Sequence, residues 1–181
     1  MASKRPSLDW SAATDRTEIP KRLIHYLNEN EVRYEILHQP KESSRRNVSA
    51  KSPRYLADVV IVKAGQQHLV AVVPIKSRVD LKEFAHFVGE PARLETEEES
   101  KWLFPDCAIG AIPPFGHLYG LPTFVDSELA KNDYIVFAAG THSDYIKVSY
   151  SAYEKMVRPR IGSVAIKASS GRSRSLEIRK R

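Results

Sequence analysis

The chain has 181 residues, of which 42% are hydrophobic, and a formal net charge of +6. This length fits one domain with tails, and no apolar run reaches the roughly 18–20 residues that a membrane span requires. A single cysteine, Cys107, excludes an internal disulfide framework and a cysteine-rich zinc site. The residues before Glu18 contain no apolar signal-peptide core. We therefore expect a protein of the reducing cytoplasm that has no membrane partner.

The positive charge is concentrated at one end of the chain. Residues 158–181 hold eight Lys/Arg and one Glu, so residues 1–157 sum to −1. This Ser/Gly/Arg-rich segment is predicted to be a basic, disordered tail, and residues 1–17 a polar extension. Two interpretations of the tail stay open: it binds the phosphate backbone of a nucleic acid, or it only increases solubility.

The predicted elements begin with a helix after Glu18, where apolar residues recur at helical spacing. The stretch VRYEIL alternates like a strand, and the polar run HQPKESSRRNVSAKSPR has room for a short helix before Tyr55. ADVVIVKA and HLVAVVP flank a glycine-containing turn, which predicts a hairpin at the centre of a sheet. A helix follows, with Asp80 as its N-cap and Gly89 at its end.

The second half of the chain continues with short elements. PARLE predicts a strand, and Thr96 followed by glutamates predicts the start of a helix. The glycine-proline loop GAIPPFG precedes a strand near PTFVD, then the strands YIVFAAG and DYIKVSY and a last helix, SAYEKMV. This order predicts a single α+β domain over residues 18–157, with a central mixed, mostly antiparallel sheet of about six or seven strands flanked by short helices. Its core should be the hairpin packed against Phe84, Phe124, Ile135 and Phe137.

Few generic catalytic patterns are present. The sequence has no GxSxG elbow, and its six histidines show no metal-ligand spacing, so neither a metal nor a cofactor is predicted. Cys107 is expected to be a small buried hydrophobe, and Trp102 is expected to pack with Leu103 and Phe104 on the sheet. The glycine-proline loop is a stronger candidate for a binding site than these residues, because glycine lets a ligand approach the backbone closely and proline stiffens the loop. Its N–H groups suit a carbonyl oxygen or an oxyanion; the alternative is a structural turn.

GAIPPFG, LPTFVDSEL and the AAG turn at Ala138–Gly140 resemble the YbaK family, the prolyl-tRNA-synthetase-associated editing domains and their free-standing relatives. The segments before this loop follow the order of the family as well; they are VVIVKA, LVAVVP and SRVDLKEFAHFVGEPARLETEEE. The resemblance therefore covers residues 18–157. It implies a metal-free deacylase that hydrolyses the ester of a mischarged aminoacyl-tRNA, usually within the set related to tRNA(Pro). The implied partner is the acceptor end of that tRNA.

The resemblance also implies where the site lies. Backbone groups of the loop face the substrate in a cleft on the sheet, and the 2′-hydroxyl or a water attacks the ester carbonyl. The family's lysine at the start of the first central strand corresponds to Asp58, which makes Asp58 and Gly110 the catalytic candidates; Lys63, five residues on, faces the other side of the strand. The substrate-binding candidates are Ala111, Ile112, Pro113, Pro114, Phe115, Gly116, Asp126, Gly140 and His142.

The aspartate at position 58 leaves more than one functional hypothesis open. The first is a trans-acting aminoacyl-tRNA deacylase with a rearranged site, in which Asp58 can hold a cationic or amine-bearing substrate. The second is a non-catalytic member that keeps the pocket and binds another ligand or tRNA. The third is a structural domain that binds no ligand.

Overall fold

The computed structural model of the protein describes residues 18–38 and 54–167. The predicted extension at 1–17, most of the segment predicted to hold a short helix before Tyr55, and residues 168–181 of the predicted tail lie outside this part of the chain.

The described residues form short helices and strands in mixed order. The helices are α1 (Lys21–Glu29), α2 (Leu81–Val88), α3 (Glu97–Ser100), α4 (Ser127–Ala130) and α5 (Tyr150–Val157), with 3-10 turns at Lys101–Leu103 and Gly116–Tyr119. The strands are β1 (Tyr34–His38), β2 (Ala57–Ala64), β3 (Gln67–Pro74), β4 (Ser77–Val79), β5 (Ala92–Leu94), β6 (Thr123–Asp126), β7 (Tyr134–Ala138), β8 (Asp144–Ser149), β9 (Arg160–Gly162) and β10 (Ala165–Lys167).

The central sheet has five strands in the order β5-β2-β3-β6-β9. The predicted hairpin β2–β3 occupies its middle, and β6 and β9 join in parallel, so the sheet is mixed. Strands β1, β8 and β7 form a second, antiparallel sheet, and β10 pairs with β4. The single α+β domain is therefore confirmed, but its strands are divided among three sheets. The reason is that β7 meets the start of the central sheet only at the bridge between Leu56 and Val136.

Local capping signals are confirmed at two helices. Asp80 accepts hydrogen bonds from the N–H groups of Lys82 and Glu83, and Gly89 ends α2 in the left-handed conformation. Thr96 and Glu99 form a reciprocal capping box at the start of α3. Such caps depend on residues within one turn of the chain, which is why the sequence predicts them well.

Two apolar clusters cover opposite faces of the central sheet. The first cluster includes Ile61, Val72, Phe115, Ile135 and Phe137, and lies between the central sheet, the β1-β8-β7 sheet, α1 and α5. The second cluster lies under α2 and is formed by Val62, Leu69, Ala71, Val73, Val79, Phe84, Phe124, Ala64 and Val164. Alternate residues of β2 and β3 point to opposite faces, so the hairpin contributes to both clusters, as its continuous apolar runs predict.

The structured region continues beyond the predicted domain end at Val157. Strand β9 pairs with β6 in parallel, and β10 pairs with β4 in antiparallel register. Residues 158–167 are thus part of the fold, and the prediction of a disordered tail is wrong for them. They lack a local pattern because each strand has three residues and is held by strands far away in the sequence.

Trp102 also differs from its prediction. Its neighbours Leu103 and Phe104 turn inward, whereas Trp102 is 55% exposed and its ring meets the edge of His68. Because Lys101–Leu103 form a 3-10 turn, Trp102 projects in a different direction from Leu103 and Phe104, and only part of the apolar run WLF faces the sheet.

Candidate functional site

The loop Gly110–Gly116 is held in place by its own backbone and by neighbouring elements. The N–H of Ala111 donates to Ala108, and that of Phe115 donates to Pro113. The N–H of Gly116 donates to the hydroxyl of Thr123 at 3.2 Å. The carbonyl of Pro114 accepts the hydroxyl of Tyr153 at 2.9 Å, inside the first cluster. Since most of its polar groups are bonded, the loop has one defined shape.

Two N–H groups of this loop have no hydrogen-bond partner among the described residues. They belong to Gly110 and Ile112, which are both half-buried and separated by Ala111. Gly110 has φ of 74°, the left-handed conformation that glycine adopts without strain. A rigid loop with two unpaired donors can bind an oxygen that carries negative charge.

The Gly140 turn packs directly on the loop. The N–H of Gly140 donates to the carbonyl of Ala111 at 2.9 Å, and the N–H of Ala108 donates to the carbonyl of Gly140 at 2.7 Å. Gly140 has φ of 86°, and a Cβ at this position would lie 2.4 Å from Cδ of Pro20. Only glycine therefore fits where β7 leaves the sheet and contacts the loop. The structure thus brings two candidates, the loop and Gly140, together.

A polar cluster supports the chain just before the loop. Arg22 Nε lies 2.6 Å from Asp106 Oδ2, and its guanidinium lies 4.7 Å from the ring centroid of Tyr119. The Tyr119 hydroxyl lies 3.3 Å from Cys107 Sγ. Burial raises the pKa of the Cys107 thiol to about 12, against the opposing hydrogen bond with Tyr119. Cys107 is therefore a buried thiol in neutral form, as expected, and does not have the character of a nucleophile.

Helix α1 lies beside the C-terminal end of the loop. The rings of Tyr26 and His117 meet edge-on with centroids 4.8 Å apart, and Tyr26 also contacts Phe115 of the first cluster. Burial lowers the pKa of His117. The neutral ring of His117 is consequently favoured near neutral pH.

Asp58 and Asp126 lie on the other face of the central sheet. Asp58 pairs with Val73, which belongs to the second cluster, and its carboxylate accepts the N–H of Val59 at 3.1 Å. Asp126 is 1% exposed; its Oδ2 accepts the N–H groups of Val164 and Ala165, both at 2.9 Å. Its Oδ1 accepts the N–H of Glu128 and so caps α4. None of these four hydrogen bonds reaches the loop.

The turn after Gly140 contains an exposed and a buried polar group. His142 is exposed, whereas Asp144 is buried and lies 2.6 Å from Nδ1 of His38. Burial alone would raise the pKa of Asp144, but hydrogen bonds from Thr141, His38 and Ser143 outweigh it and lower the pKa. This carboxylate fixes the turn that carries Gly140 and His142.

Neither a metal cluster nor a membrane helix occurs in the described part of the chain. No three His, Cys, Asp or Glu side chains converge there as ligands, and none of its helices is both long and apolar enough to cross a bilayer.

Comparison with known families identifies the domain. Residues 42–156 match the model of the aminoacyl-tRNA editing domain. The chain belongs to this family. The match spans β2 to α5 and therefore includes the loop and the Gly140 turn. No curated protein matches the chain.

Solved structures share the fold at low sequence identity. A crystal structure of a hypothetical protein has a TM-score of 0.72 at 16% identity, covering 81% of this chain and 100% of that one. A candidate trans-editing enzyme for prolyl-tRNA synthetase has a TM-score of 0.65 at 21% identity, covering 81% and 96%. A candidate signal transduction protein from Marinobacter aquaeolei has a TM-score of 0.65 at 16% identity, covering 83% of this chain but 31% of that chain. These similarities confirm the fold.

Sequence reasoning missed the residues that support the loop from a distance. Arg22 and Asp106 are separated by 84 positions, and Pro20 meets Gly140 from the other end of the domain. No local pattern marks such pairs. The one signal in the sequence was the glycine in the AAG turn, because a glycine between two apolar strands indicates a close backbone approach.

Proposed function

We propose that this protein hydrolyses the ester bond of a mischarged aminoacyl-tRNA. The observation that carries the proposal is the pair of N–H groups of Gly110 and Ile112, which have no partner among the described residues although every other N–H of the loop is bonded, in an aminoacyl-tRNA editing domain. Editing requires a site that stabilises negative charge on an ester carbonyl oxygen, and fixed backbone donors supply this stabilisation without a titrating side chain.

In the proposed reaction, water adds to the ester carbonyl carbon and the carbonyl oxygen becomes an oxyanion. The N–H groups of Gly110 and Ile112 donate to that oxygen. The bond to the ribose oxygen then breaks, and a proton from the attacking water ends on the ribose hydroxyl. The products are the free amino acid and the deacylated tRNA. The 2′-hydroxyl of the terminal adenosine is the alternative attacking group, in which case water cleaves the resulting ester in a second step.

The substrate set that we propose is tRNA(Pro) charged with a wrong amino acid. Two observations support it: the family match, and the shared fold with a candidate trans-editing enzyme for prolyl-tRNA synthetase. Within this proposal, Gly140 holds the loop, and His142, the exposed side chain of the same turn, contacts the acceptor end.

The donors can be tested by replacing single backbone amides with esters, which removes one N–H and leaves the side chain unchanged. The substitution at Ile112 deletes a proposed catalytic donor. We expect amino acid release from alanyl-, cysteinyl- or seryl-tRNA(Pro) to slow by about 10²–10³ in kcat, the usual effect of one oxyanion donor.

The matched control is the same substitution at Phe115, whose N–H already donates to Pro113 within the loop. It removes a structural bond but no proposed donor, so we expect kcat to stay within about tenfold of wild type. Equal effects at Ile112 and Phe115 would contradict the assignment of the donors. No release by the unmodified protein would contradict the function itself.

A further inference from the structure

Residues 158–167, which we call the arm, are anchored to the domain by a buried carboxylate. Oδ2 of Asp126 accepts the N–H groups of Val164 and Ala165, and Val164 is buried in the second cluster. Strand β9 pairs with β6, and β10 pairs with β4. Two adjacent N–H groups bound to one buried carboxylate fix the backbone of the arm, from which its cationic side chains project.

The arm and its partner strand carry exposed cations. Arg160 lies with its guanidinium 4.9 Å from the ring centroid of Phe87 and 5.0 Å from that of Phe124, which orients it by cation–π contact. Arg78 stands opposite Ile166 in the β4–β10 pair and Lys167 opposite Ser77, so the two cations project from the two faces of this pair. Arg78 and Lys167 are exposed, and neither forms an ion pair with another described residue.

Helix α4 contacts the arm, and its exposed Glu128 pairs with Lys131. A hydrogen bond from Lys131 lowers the pKa of Glu128, and the charges of Arg54 and Lys167 lower it further. The sequence continues from Lys167 into residues 168–181, which add five Lys/Arg and one Glu.

We propose that the arm, together with Arg78, forms a docking surface for the phosphate backbone of tRNA. This inference rests on the proposed function, because that function makes a tRNA the substrate. The surface is distinct from the candidate site: the arm packs on the second cluster, whereas the loop packs on the first. A set of exposed cations on a fixed backbone matches a chain of phosphates in charge and needs no base-specific contact.

Phosphate binding by such a surface has a measurable signature. Each neutralised phosphate releases counterions, so the logarithm of the binding constant falls with the logarithm of the salt concentration by about 0.9 per contact on duplex nucleic acid. Removal of a contacting cation should reduce this slope by about one.

The test uses uncharged tRNA as the probe and full-length protein, with binding followed by fluorescence anisotropy from about 50 to about 200 mM salt. The variant is Arg78→Gln/Lys167→Gln. The matched control is Arg33→Gln/Lys155→Gln, which removes the same charge from exposed positions at the end of the molecule formed by α1 and α5. We expect the arm variant to flatten the slope by about two, so that its affinity loss over this salt range is about tenfold smaller than that of wild type. The control should keep the wild-type slope.

Two results would overturn the proposal. One is an arm variant with the wild-type slope, or a control that flattens equally, since either means that the contacts lie elsewhere. The other is a competition result, in which phosphatidylserine vesicles release the tRNA and bind the wild-type protein but not the arm variant. That result would identify a membrane surface as the partner. Because uncharged tRNA is not hydrolysed, the outcome is independent of turnover. A protein that binds through the arm but releases no amino acid would contradict only the proposed function.

Discussion

Replacing Gly140 by alanine adds one methyl group where the β7 turn, the loop and α1 meet. Its Cβ would lie 2.4 Å from Cδ and 2.6 Å from Cγ of Pro20, well inside van der Waals contact. A proline ring cannot rotate away, so the backbone has to move by about 1 Å to reach an ordinary carbon–carbon separation. The positive φ of 86° adds strain for any residue with a Cβ.

The magnitude follows from these two terms. The left-handed conformation costs alanine about 1–2 kcal/mol, and inserting a methyl group into a packed contact costs about 1–3 kcal/mol. We therefore expect Gly140→Ala to lower the free energy of unfolding by about 2–5 kcal/mol. Gly120→Ala is the control, because Gly120 has φ of 73° but no atom within 4 Å of the point that a Cβ would occupy. Gly120→Ala should lower the free energy of unfolding only by the cost of the left-handed conformation, about 1–2 kcal/mol.

Urea unfolding of both variants separates the steric term from the conformational term, because the difference in free energy of unfolding between them should be about 1–3 kcal/mol. Gly140→Ala should also reduce kcat for amino acid release in the folded protein, because the carbonyl of Ala111 and the N–H of Ala108 are bonded to Gly140. A displacement of about 1 Å can cost about 10² in rate. Equal destabilisation by both variants would refute the packing argument.

The remaining predictions concern buried groups. Cys107, with its pKa raised to about 12, should react with a disulfide reagent at neutral pH only after unfolding. Asp126→Asn should lower the free energy of unfolding by about 1–3 kcal/mol in urea titrations, because an amide cannot accept all three N–H groups. The lowered pKa of Asp144 stabilises the fold above the ordinary value of 3.8, and the stabilisation is lost as pH falls through the folded-state value. Thermal melts of Asp144→Asn should therefore show a deficit at pH 7 that shrinks below pH 3.8. Val72→Asp should abolish soluble folding, since Val72 is 0% exposed.

Contradictory outcomes are equally specific. Fast labelling of native Cys107 would mean that the thiol is accessible, and a stable Asp126→Asn protein would mean that the arm has another anchor. A stability deficit of Asp144→Asn that stays constant from pH 7 to acid would contradict the depressed pKa. A soluble, cooperatively melting Val72→Asp protein would show that β3 is not central.

The sequence predicted the central hairpin and the helix caps because their causes are local. Val-rich runs on both sides of Gly65 require burial on two faces, and Asp80, Gly89 and Thr96 act within one helical turn. The loop was also recognised, because its glycines and prolines indicate a fixed backbone before any contact is known.

The parts that the sequence did not predict depend on contacts between distant residues. Strands β9 and β10 exist because β6, β4 and the carboxylate of Asp126 hold them, and nothing in a Ser/Gly/Arg-rich segment indicates these partners. The unpaired N–H groups of Gly110 and Ile112 are likewise visible only after every other donor of the loop has been assigned. Strand alternation placed Asp58 and Lys63 on opposite faces, but it could not place either relative to the loop.

The measurement that tests the central claim most directly is amino acid release from tRNA(Pro) charged with alanine, cysteine or serine. Wild type and Asp58→Lys should be assayed side by side, since the resemblance predicts that Asp58 stands where the family has a lysine. We predict release by the wild-type protein above the spontaneous rate with at least one of these substrates, because the donors of the loop are present without a lysine at position 58. Release by Asp58→Lys alone would contradict this account and indicate a pocket whose catalysis has been lost. Release by neither protein would contradict editing of this substrate set.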